Sequence, residues 1–342
     1  MSKVRLAVIG AGTWGKNHVR TLASMPDVAL TAVCDVDEGR RSEVTRQYPA
    51  ARVTDSVSAA LDEADGVVVA TPVMSHISVA RAAVERRVPV LIEKPLALSV
   101  EDAAGLARLV EQSGVPVVVG HLLVFHPAVA YLRQAISAGE LGAVYYLYSQ
   151  RVNLGQVRPD ENALWSFGPH DVSVALRLLG ETPSRVAAHG RSYLQPGIED
   201  VVFLLLEMPS GAMVHVQMSW LDPHKARRLT VVGSRKMVVF DDMQAREKIK
   251  VYDKGVNKPP EYGSYGESLA VREGDIVIPR IPNVEPLRAE LSHFAAVVRG
   301  EETPQCGIEE GVEVVRILEA ASESLRGGGK VVELEAGGGR SG

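Results

Sequence analysis

The sequence predicts an α/β protein in two parts: a doubly wound domain with a parallel sheet, then an α+β domain with a large, mostly antiparallel sheet. Three observations predict this. Gly10, Gly12 and Gly15 form a G-x-G-x-x-G pattern between an apolar run and a helical one, with Asp35 lying 20 residues past the last glycine. Short, uninterrupted apolar runs then alternate with helical stretches as far as residue 122. Beyond that point, alternating apolar runs flank tight turns in pairs.

In chain order, the run 4–9 (VRLAVI) reads as the first strand, and it ends abruptly at Gly10. A helical pattern and a second apolar run closing on Asp35 follow. A helix is expected at 36–47, a buried run at 67–70 ending on Thr71-Pro72, a helix at 75–87 and another buried run at 88–92. Ser99 is a candidate N-cap for a helix to residue 112, with Glu101 and Asp102 in its first turn. The run 115–119 completes the set. Such short apolar runs, separated by helices, belong to a parallel sheet covered on both faces.

The second half has another rhythm. A long strand is expected at 145–152. The strands 201–207 and 212–220 flank Met208-Pro209-Ser210-Gly211, and 228–232 and 236–240 flank Gly233-Ser234-Arg235. The segment 248–252 alternates as well. Helices are expected at 127–137, 170–179, 285–299 and 308–325. The expected domains are therefore 1–122 and 123–334, with 335–342 a disordered tail ending AGGGRSG. The loop 253–283 holds Pro259, Pro260, Gly263, Tyr265 and Gly266. It reads as a segment covering substrate or as a plain surface excursion.

At 342 residues the chain is long enough for two domains. Its 37 basic and 42 acidic residues give a net charge of −5, which excludes nucleic acid or a membrane surface as a partner drawn by bulk charge. Gly10, Gly12 and Gly15 interrupt the N-terminal apolar run too early for a signal peptide. His121, His126 and Pro127 interrupt 115–132, so no membrane span is expected there. Cys34 and Cys306 match no zinc or redox spacing, no metal site is expected, and a reducing cytoplasm fits best.

The glycine pattern carries chemistry. Gly10 permits the tight turn, Gly12 lets backbone approach a pyrophosphate, and Gly15 lets helix pack on strand. Thr13 and Trp14 lie in the same turn, where the helix start offers N–H groups to phosphates. Asp35 would accept ribose hydroxyls and repel a 2′-phosphate, which favours NAD over NADP. A methyltransferase shares these features and is left to the rest of the chain to decide. Glu93-Lys94-Pro95 follows the strand 88–92, at the carboxyl edge where ligands of doubly wound sheets sit. An alcohol that loses hydride must also lose a proton, and Lys94 can take it once burial and a nearby positive charge favour the neutral amine. A cis Lys-Pro bond can aim that amine. By position alone Lys94 could instead be a surface partner of Glu93. His170 follows Gly168-Pro169 and is read as opening a helix, where the dipole disfavours imidazolium. Alone it reads more as a cap, and Asp171 as a first-turn acid.

Together, VIGAGTWGKNHVR, the Thr71-Pro72 turn with His76, Glu93-Lys94-Pro95, Gly120-His121 and the Gly-Pro-His-Asp stretch resemble the glucose–fructose oxidoreductase / inositol dehydrogenase (Gfo/Idh/MocA) family from residue 4 to about 334. The resemblance implies a Rossmann domain, a tightly held NAD or NADP, and dimers or tetramers through the open face of the second sheet. It places the family's lysine on Lys94 and its histidine on His170, as catalytic residues. It implies Thr71, Pro72, His76 and Glu93 around the cofactor. Ser166 stands where many members carry an aspartate, which leaves proton handling to Lys94 and His170 with Asp171 assisting. The stretch Glu285-Pro286-Leu287…Glu290…His293-Phe294 looks most like the branch acting on nucleotide-linked sugars, including C3 dehydrogenases of a UDP-N-acetylhexosamine uronate. A free-sugar or cyclitol dehydrogenase and a non-catalytic NAD-binding regulator are the alternatives. Methyl transfer gives Glu-Lys-Pro and the second sheet no role. His121, Arg151, Asn153, Ser166 and Asp171 are the expected substrate contacts. His224, Lys225, Arg227 and Arg228 either meet a diphosphate or charge a strand edge. His126 and His293 read as structural, and Trp14 packs beside the pyrophosphate turn or into the core.

Overall fold

A computed structural model of the chain describes residues 3–257 and 270–335. They form two compact units, one from residues up to His126 together with Val284–Glu319, the other from Pro127–Asn283 together with the chain from Ala320 onward.

In the first unit, β1 (Val4–Ile9) is buried along its length apart from Arg5, because both faces of a central parallel strand are covered. It is joined by β2 (Val28–Cys34), β3 (Arg52–Thr54), β4 (Gly66–Val69), β5 (Val90–Glu93) and β6 (Val117–Gly120). The order is β3-β2-β1-β4-β5-β6, with every pair parallel. Strand order reverses between β1 and β4, so the turns after these two strands flank the switch point. The intervening helices are α1 (Gly15–Ala23), α2 (Glu38–Gln47), α3 (Val57–Leu61), α4 (His76–Glu85) and α5 (Val100–Ser113). Asp37 caps α2, Ser56 caps α3 and Ser99 caps α5, each by accepting a backbone N–H. The strand β3 and helix α3, of three and five residues, are too short to carry a periodic signal in the sequence.

The second unit opens with α6 (Pro127–Ser137), β7 (Val144–Val152) and α7 (Ala163–Leu179). The strands β8 (Arg185–Arg191), β9 (Val201–Glu207), β10 (Met213–Ser219), β11 (Ala226–Gly233), β12 (Met237–Asp241) and β13 (Ile249–Tyr252) follow. β14 (Gly255–Asn257) and β15 (Ala270–Arg272) pair as a two-stranded ribbon, and β16 (Ile276–Val277) joins the edge of the large sheet. That sheet has nine strands in the order β16-β13-β12-β11-β7-β10-β9-β8-β17, the last being Val332–Glu333. Its pairs are antiparallel except β7 with β10. Part of the stretch 253–283 is therefore regular, not loop. Residues 258–269 and the tail beyond 335 lie outside the described residues, and with them Pro259, Pro260, Gly263, Tyr265 and Gly266.

A single cut near residue 122 does not describe the division. Between the two stretches of the second unit come α8 (Pro286–Val298) and the start of α9 (Ile308–Arg326), which belong to the first unit. The cause is an apolar stripe: Leu287, Leu291, Phe294 and Val297 share one core with Val4, Leu6, Val8 and Val19. A Cβ on Gly66 would meet Val298 and Phe294, so β4 is shaped for that helix.

Candidate active site

The glycine turn is built by close approach. Gly10 has φ +97°, and a Cβ there would stand 2.6 Å from the Ala70 carbonyl oxygen. A Cβ on Gly15 would overlap the Gly10 carbonyl. These two glycines are required by the protein's own packing. Gly12 differs: a Cβ there would meet only the Arg40 guanidinium, at 3.6 Å, so the turn stays clear on the side where a pyrophosphate needs to approach. No side chain caps the start of α1, which leaves a phosphate as a fitting partner for its N–H groups.

Asp35, at the end of β2, is 6% exposed. It accepts the Ala11 N–H at 2.7 Å and the Asp37 N–H at 2.9 Å, and Arg40 lies 3.5 Å from it. Its carboxylate thus fixes the turn as well as offering the lone pairs that remain. Turn, helix start and acid together fit a dinucleotide.

At the carboxyl end of β5, Glu93 is buried. The Trp14 indole N–H donates to Glu93 Oε1 at 2.5 Å, and His18 Nε2 lies 2.7 Å from the same oxygen. Burial alone would raise the Glu93 carboxyl. The His18 ring, the Trp14 N–H and the Lys94 charge outweigh burial and hold it below the usual range. Lys94 is partly buried, and its peptide bond to Pro95 is cis. His76 begins α4, buried, with its ring nitrogens 2.9 Å from the carbonyl oxygens of Thr71 and Pro95. It therefore ties the turns after β4 and β5 to each other and leaves no ring nitrogen for a ligand. Burial lowers its pKa.

His121 follows β6 and is 1% exposed, with neither ring nitrogen hydrogen-bonded. Burial pushes it down to about 4, with the Lys94 charge adding and Glu93 opposing, so the ring is neutral near pH 7. Sequence reasoning missed the role of two neighbours. His18 lies one helical turn after Trp14, and that spacing is the signal for a shared partner. Glu290 sits in the apolar stripe of α8, 0% exposed with neither carboxyl oxygen hydrogen-bonded. A lone acid inside such a stripe was its signal. Burial, then Glu93, raises it well above the ordinary carboxylate range.

In the second unit the structure corrects the reading of His170. Asn162 caps α7 by accepting the Trp165 N–H at 3.1 Å, and the helix runs through Pro169 to Gly180. Gly168-Pro169 is not a stop, because Ala163, Leu164 and Ser166 already bury a helical face ahead of it. His170 and Asp171 thus lie in mid-helix, beyond the reach of the dipole, which acts within the first turn. Asp171 is no first-turn acid. It takes Arg151 Nε at 2.5 Å and Arg151 Nη2 at 3.3 Å, and the Ser149 hydroxyl at 2.8 Å. Ser166 is buried on the same helix, and the Asn153 N–H donates to the Ser219 carbonyl at 3.1 Å.

Arg227 on β11 is the cross-strand partner of Arg151 on β7, exposed, with no ion pair among the described residues. Arg228 pairs in register with Gln150 and Asp241 on the other face, and His224 and Lys225 precede the strand. The expected basic knot is therefore divided between two faces of the sheet. His293 is structural: its ring meets Glu302 at 2.5 Å and accepts the Gln305 N–H at 3.1 Å. Among the described residues no helix is long and apolar enough to cross a membrane, and no group of three or more His, Cys, Asp or Glu is placed to hold a metal.

Comparison with known proteins accords with this geometry. Residues 4–121 match the GFO/IDH/MocA oxidoreductase family, NAD-binding Rossmann fold, and residues 129–239 match the GFO/IDH/MocA C-terminal domain. Inositol 2-dehydrogenase 2 of Saccharopolyspora erythraea is 34% identical over 63% of this chain and 66% of its own. UDP-N-acetylglucosamine 3-dehydrogenase of Acidithiobacillus ferrooxidans is 28% identical over 94% of this chain and 96% of its own. A structure of the latter superposes with a TM-score of 0.81 at 26% identity, covering 96% of this chain and 99% of that one. GenD2 from gentamicin A biosynthesis, crystallised with NAD, gives 0.81 at 26% identity over 98% and 97%.

Proposed function

The chain belongs to the Gfo/Idh/MocA family of NAD-binding oxidoreductases, acting as a sugar or cyclitol dehydrogenase, and from that premise we propose that its substrate is a nucleotide-linked sugar, such as a UDP-N-acetylhexosamine uronate, oxidised at C3. The observation that carries the finer reading is the cross-strand pair Arg151–Arg227. Asp171 pairs with Arg151, and Arg227 has no carboxylate at ion-pair distance among the described residues, although Asp242 and Asp171 lie near enough to favour its charge. A diphosphate or a uronate supplies the missing anion, with two charge-assisted hydrogen bonds to a guanidinium. Inositol offers none.

When bound, NAD supplies the hydride acceptor. Gly10, Gly12, Thr13, Trp14 and Gly15 would hold its phosphates, and Asp35 its ribose. Lys94 takes or steers the hydroxyl proton, and His170 shares that work. Asn153 contacts substrate, and His121, shut off from solvent, acts from behind the site, while Asp171 contributes through Arg151 and Ser166 through its place on α7. A neutral amine is needed to accept a proton. We read the protein as a cytoplasmic dimer or tetramer. Its two cysteines are free and buried, which fits a reducing compartment.

The test is turnover, read as absorbance of reduced cofactor, with UDP-sugars and their uronates against inositols and free hexoses. Arg227→Ala is expected to raise KM for the UDP-sugar by about 10- to 100-fold and leave kcat within a few-fold, the loss of one charge-assisted contact. Preference for an inositol, with no effect of Arg227→Ala, overturns the nucleotide-sugar reading in favour of a cyclitol dehydrogenase, for which the 34% identical relative argues. Undiminished activity in Lys94→Ala would remove that lysine from the chemistry.

A further inference from the structure

We propose that Glu93 is a positioning residue that links the glycine turn to the Lys94 amine, with Trp14 and His18 holding its carboxylate between them. The inference rests on Lys94 being the proton acceptor. Trp14 lies inside the turn, between Gly12 and Gly15, and its indole N–H reaches Glu93 Oε1 at 2.5 Å. His18, one turn along α1, reaches the same oxygen at 2.7 Å. The other oxygen accepts the Lys94 backbone N–H at 3.2 Å. Gly120 lies against this residue: a Cβ there would stand 3.2 Å from the Glu93 Cα and in ordinary contact, at 3.4 Å, with its carboxyl carbon. The carboxylate is thus pinned at three points, two on the cofactor side and one on the residue that carries the amine.

Charge gives the link a direction. The titratable groups around Lys94 and Glu93 in this unit are His18, His76, His121 and Glu290. Burial favours the neutral form of His76, His121 and Glu290, so Glu93 brings negative charge to the cluster. A carboxylate beside an amine favours ammonium, which cannot accept a proton. Hydrogen bonds from Trp14 and His18 stabilise that negative charge and weaken its pull on Lys94. Removing the carboxylate and removing the indole N–H therefore act on Lys94 in opposite directions. A scaffold role alone gives no such opposition.

The experiment measures Lys94 in the free full-length protein: its rate of acylation by an amine-reactive reagent as a function of pH, read by peptide mass spectrometry. Glu93→Gln is expected to lower the midpoint by about one pH unit, and Trp14→Phe to raise it by about half a unit. The ascending limb of kcat/KM should move the same way in each variant, and Trp14→Phe should weaken NADH binding about threefold. Midpoints that move in the same direction, or not at all, overturn the link. Should Glu93→Gln fail to fold, Trp14→Phe alone decides, and an unmoved or lowered midpoint overturns it. Full activity in Lys94→Ala overturns the functional reading instead, while the labelling midpoints, which need no turnover, still decide the link.

Discussion

Glu290 and His121 are two buried groups whose protons must be held in opposite senses. Burial raises Glu290, so its proton binds more tightly in the folded chain than in the unfolded one, where the carboxyl titrates near its ordinary value. Its contribution to stability is complete below that ordinary value and is lost as pH rises through the folded value. Glu290→Gln keeps the shape and removes the titration. Its advantage over the parent chain should therefore grow from nothing near pH 4 by about 1 kcal/mol per pH unit, up to the folded value, as read by urea unfolding at several pH values. An advantage that does not change with pH would mean that Glu290 does not titrate in this way. His121 has the opposite sign. Its folded value is about 4 against about 6.5 unfolded, so its contribution is complete above the unfolded value and is lost as pH falls through the folded one. His121→Phe, which sacrifices no hydrogen bond, should shift acid unfolding followed by circular dichroism to lower pH, by up to about 3 kcal/mol of stability near pH 4.

At the scale of elements, the glycine turn separates what the fold needs from what the ligand needs. Gly10→Ala places a Cβ against the Ala70 carbonyl at φ +97°, a clash with backbone in a conformation that side chains avoid, and should lower stability by about 2 kcal/mol or more. Gly12→Ala meets only the movable end of Arg40. It should leave the melting temperature within a few degrees yet weaken NADH binding about tenfold or more, because the methyl stands where a pyrophosphate must approach. Equal losses of stability in both variants would sink the distinction. This turn was legible in sequence because three glycines, a preceding apolar run and Asp35 each answer to one physical demand. The hairpins were legible for the same reason, their alternation being local. α7 was not: Gly168-Pro169 is a strong local stop, and only burial of Ala163, Leu164 and Ser166 carries the helix through it. The return of α8 to the first unit was not legible either, since an apolar stripe says that it packs but not against what. The Trp14–Glu93–His18 contact joins positions 14 and 93, and no local pattern reports a pairing of that range.

Over the whole molecule, the large sheet leaves one of its faces to be explained. Leu147, Val214, Val216, Leu204, Leu206 and Val231 are buried on one face, the side on which α7 packs against β7, β9 and β10. Alternation turns Tyr146, Tyr148, Phe203, Met213 and His215 to the other face, where Tyr146 stacks on Tyr148 and Phe203 on His215. Tyr146, Phe203 and Met213 are all more than 40% exposed. An exposed surface so rich in aromatic side chains, with Gln150 and Gln217 bonded to each other among them, is uncommon on a protein that stays single, and a second copy of the same face is a partner of matching chemistry. Phe203→Glu puts a carboxylate near the middle of that face without touching the core side. The parent chain is expected to sediment as a dimer or tetramer, and the Phe203→Glu chain as a smaller species with an unchanged circular dichroism spectrum. Because an interface made of sheet faces depends on apolar burial, the association should also resist salt, which would screen a contact made of ion pairs. A parent chain that sediments as a monomer, or a charged variant whose mass is unchanged, would leave the exposed tyrosines and phenylalanine without this explanation.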